Sequence, residues 1–151
     1  MAMIEGSAST VINRPATEVF AAIADITRMG EWSPECVSGR WVAPATEAAV
    51  GARFSGDNEV RLGPISLKKW TTTSEVTECV PGKVFEFVAE GYTTWRYELT
   101  EADGLTAVTE SYAHKVPEGT QKLLYVIGRR STGMVKGVER TLARLKAALE
   151  A

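Results

Sequence analysis

The order of apolar and polar residues predicts a strand and two short helices at the start of the chain. Residues 7–12 form a short β-type run, and Pro15 then begins a segment, 15–26, whose apolar residues recur at helical spacing. Thr27 is a suitable N-cap for a second short helix, and Pro34 is expected to end that helix.

The middle of the chain alternates short strand-like segments with turn signals. These segments are dense in Thr, Val, Phe, Tyr and Trp, and they are separated by Gly, Pro or Asp-Gly pairs. The predicted strands are 36–43, 52–61, 66–79, 83–90, 92–101 and 105–116. Because no helical segment lies between them, we expect antiparallel hairpins rather than a parallel sheet.

The last part of the chain returns to a helical pattern. An apolar stripe recurs there at spacings of three and four residues: Met134, Val138, Leu142, Leu145 and Leu149. This stripe predicts one long amphipathic helix over about 121–150. Together the elements predict an α+β fold, in which seven strands form a curved antiparallel sheet wrapped around the C-terminal helix, with two short helices after the first strand.

Composition and charge narrow the class of protein. The chain of 151 residues is 44% apolar and 24% charged, as expected for one globular domain spanning 1–151. A net charge of −2 without a basic patch argues against a nucleic-acid partner. No apolar run approaches the roughly 18 residues that span a bilayer, and no signal peptide is evident, so we expect a cytoplasmic protein with reduced thiols.

The inventory of metal-ligating residues is small. Two cysteines and one histidine cannot supply a structural zinc site, so neither a metal nor a cofactor is expected. The sequence also has no G-x-S-x-G element that would place a nucleophilic serine on a strand-to-helix turn. The oligomeric state is expected to be a monomer or a homodimer.

Several longer segments resemble one superfamily. They are RPATEVFAAIADITRMGEWSPE (14–35), GARFSGDN (51–58), VPGKVFEF (80–87), TTWRYELT (93–100) and GLTAVTESY (104–112). Together with the element order, they resemble the START/birch-pollen-allergen helix-grip superfamily (SRPBCC), and most closely its polyketide cyclase/dehydrase-like members from actinobacteria. The resemblance implies a helix-grip fold with a cavity for a hydrophobic ligand. It implies no particular reaction, because the superfamily includes lipid carriers, hormone receptors and cyclases.

The Asp103-Gly104 turn predicts how the last two strands pair. The expected cross-strand pairs are Leu99 with Val108, Tyr97 with Glu110, Trp95 with Tyr112, and Thr93 with His114. These side chains are bulkier than those of the opposite face, so they are expected to point inward. A two-residue turn at Glu90-Gly91 would place Trp95 opposite Glu86, so a longer loop or a bulge is expected if Trp95 faces Phe87.

The predicted ligand-binding residues come from the inward positions of the strands, from the second short helix and from the C-terminal helix. They are Trp32, Phe54, Asn58, Trp70, Thr72, Phe87, Trp95, Tyr97, Glu110, Tyr112, His114 and Met134. For Trp32 the resemblance implies a lid or wall of the cavity, and the alternative is a hydrophobic plug. Trp70 and Trp95 either line the cavity or belong to the core, and His114 lies either at the cavity entrance or at an exposed strand end.

Glu110 is the candidate with the most informative chemistry. A carboxylate among apolar side chains is unfavourable unless it is hydrogen-bonded. Three roles are open: it anchors a ligand, it acts as a general acid or base, or it makes a structural hydrogen bond to Tyr97, Asn58 or Arg53.

Three functions follow from these residues. The first is binding or transport of a hydrophobic, lipid-like or polyketide-like molecule in an internal cavity. The second is a polyketide cyclase or dehydratase that uses Glu110 and a cavity tyrosine, and the third is a protein-interaction module without a ligand. An enzyme needs several polar groups that converge on one point of the pocket, whereas a carrier needs one polar anchor. The few convergent candidates in the sequence favour the carrier.

Overall fold

A computed structural model describes residues 2–116 and 130–151, which form seven strands and three helices in the predicted order. The strands are β1 (Ala2–Ile12), β2 (Cys36–Trp41), β3 (Arg53–Leu62), β4 (Ile65–Val80), β5 (Val84–Ala89), β6 (Thr93–Ala102) and β7 (Leu105–Val116). The helices are α1 (Ala16–Ala24), a 3-10 helix (Ile26–Glu31) and the C-terminal α2 (Arg130–Glu150). The α+β helix-grip fold is confirmed.

The strands form one antiparallel sheet in the order β1-β7-β6-β5-β4-β3-β2. We call the end that carries the β3–β4 turn and the β5–β6 loop the upper end of the sheet. The end that carries the β4–β5 and β6–β7 turns is the lower end. Helix α2 runs towards the lower end, where Glu150 accepts a hydrogen bond from the backbone N–H of Asn13 (3.0 Å).

The hydrophobic core fills the lower half of the concave face. It is built from α1, from the later turns of α2 and from inward-facing strand residues, including Ile12, Val19, Ile23, Phe85, Val108, Leu142 and Leu145. The apolar stripe of α2 supplies Val138, Leu142 and Leu145, each at most 2% exposed. The apolar residues that recur at helical spacing in the sequence therefore face this core.

The predicted pairing of β6 with β7 is confirmed. Tyr97 lies opposite Glu110, and Trp95 lies opposite Tyr112. The Asp103-Gly104 turn has positive φ at both residues (54° and 77°), as a two-residue hairpin turn requires. The expected longer β5–β6 loop is also confirmed, because Ala89 pairs with Thr93 across three loop residues.

Two predictions for the start of the chain differ from the structure. Strand β1 begins at Ala2 rather than at residue 7, because it pairs with β7 along its full length. Thr27 is not the N-cap of the second helix, since the carboxylate of Asp25 accepts the Thr27 backbone N–H (3.2 Å). The predicted C-terminal helix is confirmed from Arg130 to Glu150, and its expected start at 121 lies outside the described residues.

Two glycines let the 3-10 helix lie directly on the backbone of β2. A Cβ atom on Gly39 would meet the backbone oxygen of Ile26, and a Cβ atom on Gly30 would meet the backbone oxygen of Val37. Since the obstacles are backbone atoms rather than flexible side chains, neither position can accept a side chain without moving the helix. This contact fixes the position of Trp32, the residue that follows the 3-10 helix.

We predict that Gly39→Ala destabilises the fold by about 1–3 kcal/mol, the usual effect of overpacking a tight contact. Gly137→Ala is the matched control, because a Cβ atom on Gly137 in α2 meets no heavy atom within 4 Å in the part of the chain described. Alanine there is expected to stabilise the helix by up to about 1 kcal/mol. Chemical denaturation of both variants measures the two changes, and equal effects would contradict the proposed backbone contact.

Candidate functional site

The predicted ligand-binding residues differ in burial. Six are half-buried: Asn58, Trp70, Thr72, Trp95, His114 and Met134. The other six are buried: Trp32, Phe54, Phe87, Tyr97, Glu110 and Tyr112. The strand residues of this set all share one face, because directly opposed residues on neighbouring strands point to the same side.

Glu110 and Tyr97 form a buried polar pair on this face. They lie opposite each other on β7 and β6, and the Tyr97 hydroxyl donates a hydrogen bond to Glu110 Oε1 (2.9 Å). Glu110 is 3% exposed and Tyr97 is 7% exposed. The second carboxyl oxygen, Oε2, is also buried and has no hydrogen-bond partner among the residues that the structure describes.

Burial determines the protonation state of this pair. It raises the pKa of Glu110 to about 8, and the hydrogen bond from Tyr97 only partly opposes this shift. The pKa of Tyr97 is raised well above its ordinary value. Burial is the largest cause of this shift, and the neighbouring charge of Glu110 is the second. Both groups are therefore mostly protonated at pH 7. Because Oε1 accepts from Tyr97, the carboxyl proton resides on Oε2, where it is available for donation.

Aromatic rings lie beside this pair on the same face. Tyr112 is two residues beyond Glu110 on β7, and its ring centroid lies 5.7 Å from that of Trp95 at an angle of 50°. On its other side Tyr112 lies over Gly6 of β1, where a Cβ atom would be 2.5 Å from the phenol oxygen. Gly6 thus makes room for the Tyr112 ring. Gly6 lies outside the first strand predicted from the sequence, which began at residue 7, so the pattern gave no signal for it.

A second group of rings separates the polar pair from β2 and α1. Phe54 packs against Trp41 and Phe87 with centroid distances of 5.6 and 5.0 Å, and Phe85 contacts both Phe87 and Phe20. These are edge-to-face or tilted contacts typical of a packed aromatic core. Phe54 and Phe87 are 3% and 6% exposed, so both belong to the packed core beside the polar pair.

Asn58 does not pair with Glu110. It lies on β3, with three strands between it and β7. Its Nδ2 lies within hydrogen-bond distance of the Thr72 hydroxyl (3.2 Å) and of the backbone oxygens of Gly56 and Trp70. Arg53 is exposed on the same strand. Of the three structural partners expected for Glu110, only Tyr97 makes the hydrogen bond.

His114 and Trp32 lie at opposite sides of the site. His114 is half-buried near the upper end of β7, and its Nδ1 lies 2.7 Å from the hydroxyl of Thr93 on β6. Trp32 is 3% exposed, belongs to the hydrophobic core, and has the guanidinium of Arg28 5.1 Å from its ring centroid. Its burial matches the plug alternative and is also compatible with the inner wall of a cavity.

Within residues 2–116 and 130–151, no group of three or more His, Cys, Asp or Glu side chains is placed to hold a metal ion. A surface cleft of about 350 Å³ lies between β1 and α2, and another of about 500 Å³ lies beside the β4–β5 turn. Neither is lined by a predicted ligand-binding residue.

A seven-stranded antiparallel sheet whose concave face carries a C-terminal helix defines the helix-grip class of proteins. Residues 3–150 match the family model described as polyketide cyclase / dehydrase and lipid transport, and the chain belongs to that family. No curated protein matches the sequence significantly. None of the helices in the described ranges has the length and hydrophobicity needed to cross a bilayer.

Solved structures with the same fold extend this comparison. A polyketide cyclase-like protein from Corynebacterium glutamicum is 30% identical, with 99% of this chain and 93% of that chain covered at a TM-score of 0.69. The di-domain ARO/CYC StfQ from the steffimycin biosynthetic pathway is 11% identical, with a TM-score of 0.75 over 98% of this chain and 51% of that chain. The KanY protein is 14% identical, with full coverage of both chains and a TM-score of 0.75.

We predict that the burial of Glu110 makes the protein less stable as the pH rises from about 4.5 to about 8. In this window the unfolded carboxyl has lost its proton while the folded one keeps it, so the folded state binds more protons. Stability then falls with pH, by at most about 1.4 kcal/mol per pH unit from this one group. Below pH 4.5 both states are protonated and the contribution of Glu110 is constant.

Glu110→Gln is the control for this pH dependence, because glutamine keeps the shape of the side chain but does not titrate. Denaturation of both proteins across the pH range measures the difference in their free energies of unfolding. The difference should change with pH in favour of the variant as the pH rises. A difference that is flat between pH 5 and 8 would show that Glu110 is ionised in the folded protein.

Proposed function

We propose that the protein binds a hydrophobic small molecule, lipid-like or polyketide-like, on the upper half of the concave face and that Glu110 is its polar anchor. The observation that carries this proposal is the buried Oε2 atom of Glu110, which has no partner in the described part of the chain. A buried polar atom without a partner is unfavourable by about 1–3 kcal/mol. A ligand oxygen at this position would remove that penalty.

The surroundings of Glu110 indicate the chemistry of the ligand. The half-buried rings of Trp70 and Trp95 offer apolar surface, which suits a long or flat carbon skeleton. A protonated carboxyl in an apolar site donates a hydrogen bond at neutral pH, as a carboxylate cannot. The ligand should therefore present a carbonyl or hydroxyl oxygen to Oε2, with the rest of the molecule buried by apolar contacts.

Polyketide cyclisation or dehydration is the second candidate, and the same pair supports it. A carboxyl with a pKa of about 8 can serve as a general acid near neutral pH. The family description includes cyclases and dehydrases, and StfQ is named as an ARO/CYC. Carriage is favoured because the Tyr97 hydroxyl is already bonded to Oε1, so this buried pair presents a single atom, Oε2, to a ligand.

We predict that removing the anchor weakens ligand binding without unfolding the protein. Glu110→Leu alone would leave the Tyr97 hydroxyl buried without its acceptor, so the variant to use is Glu110→Leu with Tyr97→Phe. Replacing both partners with apolar groups is close to neutral for stability. Affinity for the neutral dye Nile red, which carries a carbonyl, should fall about 5- to 30-fold, the effect of losing one hydrogen bond.

Glu110→Gln separates the two candidate functions. Its amide N–H can still donate to the ligand, so a carrier should keep Nile red affinity within a few-fold. An enzyme should instead lose about 10²- to 10⁴-fold in turnover of a polyketide-type substrate while binding is retained. Unchanged dye affinity in the Glu110→Leu, Tyr97→Phe variant would contradict the anchoring role itself.

A further inference from the structure

The β3–β4 hairpin extends beyond the rest of the sheet. Strand β5 pairs with β4 only from Ser74 onward, so residues 65–73 of β4 have β3 as their strand partner. On the other side, β2 pairs with β3 no further than Asn58, and one additional backbone hydrogen bond joins Glu59 to Glu35. Residues 60–69 therefore form a two-stranded ribbon that projects from the upper end, and we call these residues the ribbon.

The tip of the ribbon exposes three large aliphatic side chains. Leu62, Ile65 and Leu67 are 67%, 59% and 60% exposed. They lie within six residues of one another around the turn at Gly63 and Pro64. Single exposed apolar residues are common, but a cluster at the tip of a projecting hairpin is typical of an interaction surface.

The charge of the ribbon is entirely positive. Arg61, Lys68 and Lys69 lie in residues 60–69, and the sequence has no Asp or Glu from 60 to 74. Glu59, at the base, forms an ion pair with Arg61 (2.9 Å). The Lys68 ammonium lies 5.1 Å from the centroid of the Trp70 ring. This local charge contrasts with the net charge of −2 of the whole chain.

The ribbon lies at the same end of the sheet as the accessible part of the candidate site. Trp70 and Asn58, opposite each other at its base, belong to the concave face beside the ligand site. The β5–β6 loop at this end also exposes Tyr92 (60%). A surface that contacted the ribbon tip would therefore lie close to the half-buried residues through which a ligand could enter.

We propose that the ribbon docks the protein on the surface of an anionic lipid bilayer, with Leu62, Ile65 and Leu67 inserted among the lipids. Aliphatic side chains flanked by Lys and Arg match the layered chemistry of a bilayer surface, in which anionic headgroups lie above the hydrocarbon. A nucleic-acid partner would not require the aliphatic tip. The purpose of docking, ligand exchange with the membrane, rests on the proposed function, whereas docking itself does not.

Vesicle co-sedimentation of the full chain tests this proposal. Binding should be stronger to vesicles of phosphatidylcholine mixed with phosphatidylglycerol than to phosphatidylcholine alone, and added salt should weaken it. Lys68→Gln with Lys69→Gln should reduce affinity for the mixed vesicles about 30-fold, at about fivefold per cation. Leu62→Ser, Ile65→Ser and Leu67→Ser together should reduce it about tenfold or more while the cations remain.

Two controls keep the result specific to the ribbon. Leu105→Ser removes an aliphatic side chain that is 43% exposed at the lower end, and it should leave vesicle binding unchanged. Glu110→Leu with Tyr97→Phe should also bind vesicles normally, so failure of the ligand proposal and failure of the docking proposal are distinguishable. Circular dichroism verifies that each variant is folded.

Two outcomes would overturn the docking proposal. One is equal binding of the unmodified chain and the aliphatic-tip variant to mixed vesicles. The other is a dimer of the unmodified chain that the aliphatic-tip substitutions dissociate, with no vesicle binding by either protein. The second result would assign the ribbon to contact with another copy of this chain.

Discussion

The hydrogen bond between Tyr97 and Glu110 is the constraint around which the candidate site is arranged. It holds a carboxyl group inside an apolar sheet face, where the charged form is unfavourable and the proton is retained. The Tyr97 hydroxyl already donates to Oε1, so Oε2 is the carboxyl oxygen that can make a further hydrogen bond. A protein that needed only a stable core could replace both groups with apolar residues at little loss of stability. Their presence is therefore more readily explained by ligand recognition than by folding.

The two ends of the sheet have different physical roles. At the lower end, α1, the later turns of α2 and the inner strand residues form a closely packed core. At the upper end the same concave face continues with half-buried side chains, and the ribbon extends further still with aliphatic and cationic residues. The fold thus combines a closely packed lower half with a more exposed upper half, where the proposed ligand would bind.

Local patterns in the sequence predict the features that depend on local structure. The Asp103-Gly104 turn sets the pairing of β6 with β7, and this pairing places Glu110 opposite Tyr97. Local sequence patterns do not determine which strands lie beside each other, or how far apart two strands lie, in the sheet. Asn58 is an inward polar residue like Glu110, but which strands separate the two depends on the order of the whole sheet. The exposure of Leu62 was also not predicted, because alternation within a strand does not show where the neighbouring strands end.

Glu110 is expected to be protonated in the folded protein at neutral pH. The most direct measurement is an NMR titration of its side-chain carboxyl carbon, assigned by comparison with Glu110→Gln. The structure predicts a transition at a pKa of about 8, well above the ordinary value of 4.5 for a glutamate side chain. A transition near the ordinary value of 4.5 would show that the carboxylate is charged, and it would contradict both the donor role of Oε2 and the proposed anchoring of a ligand oxygen.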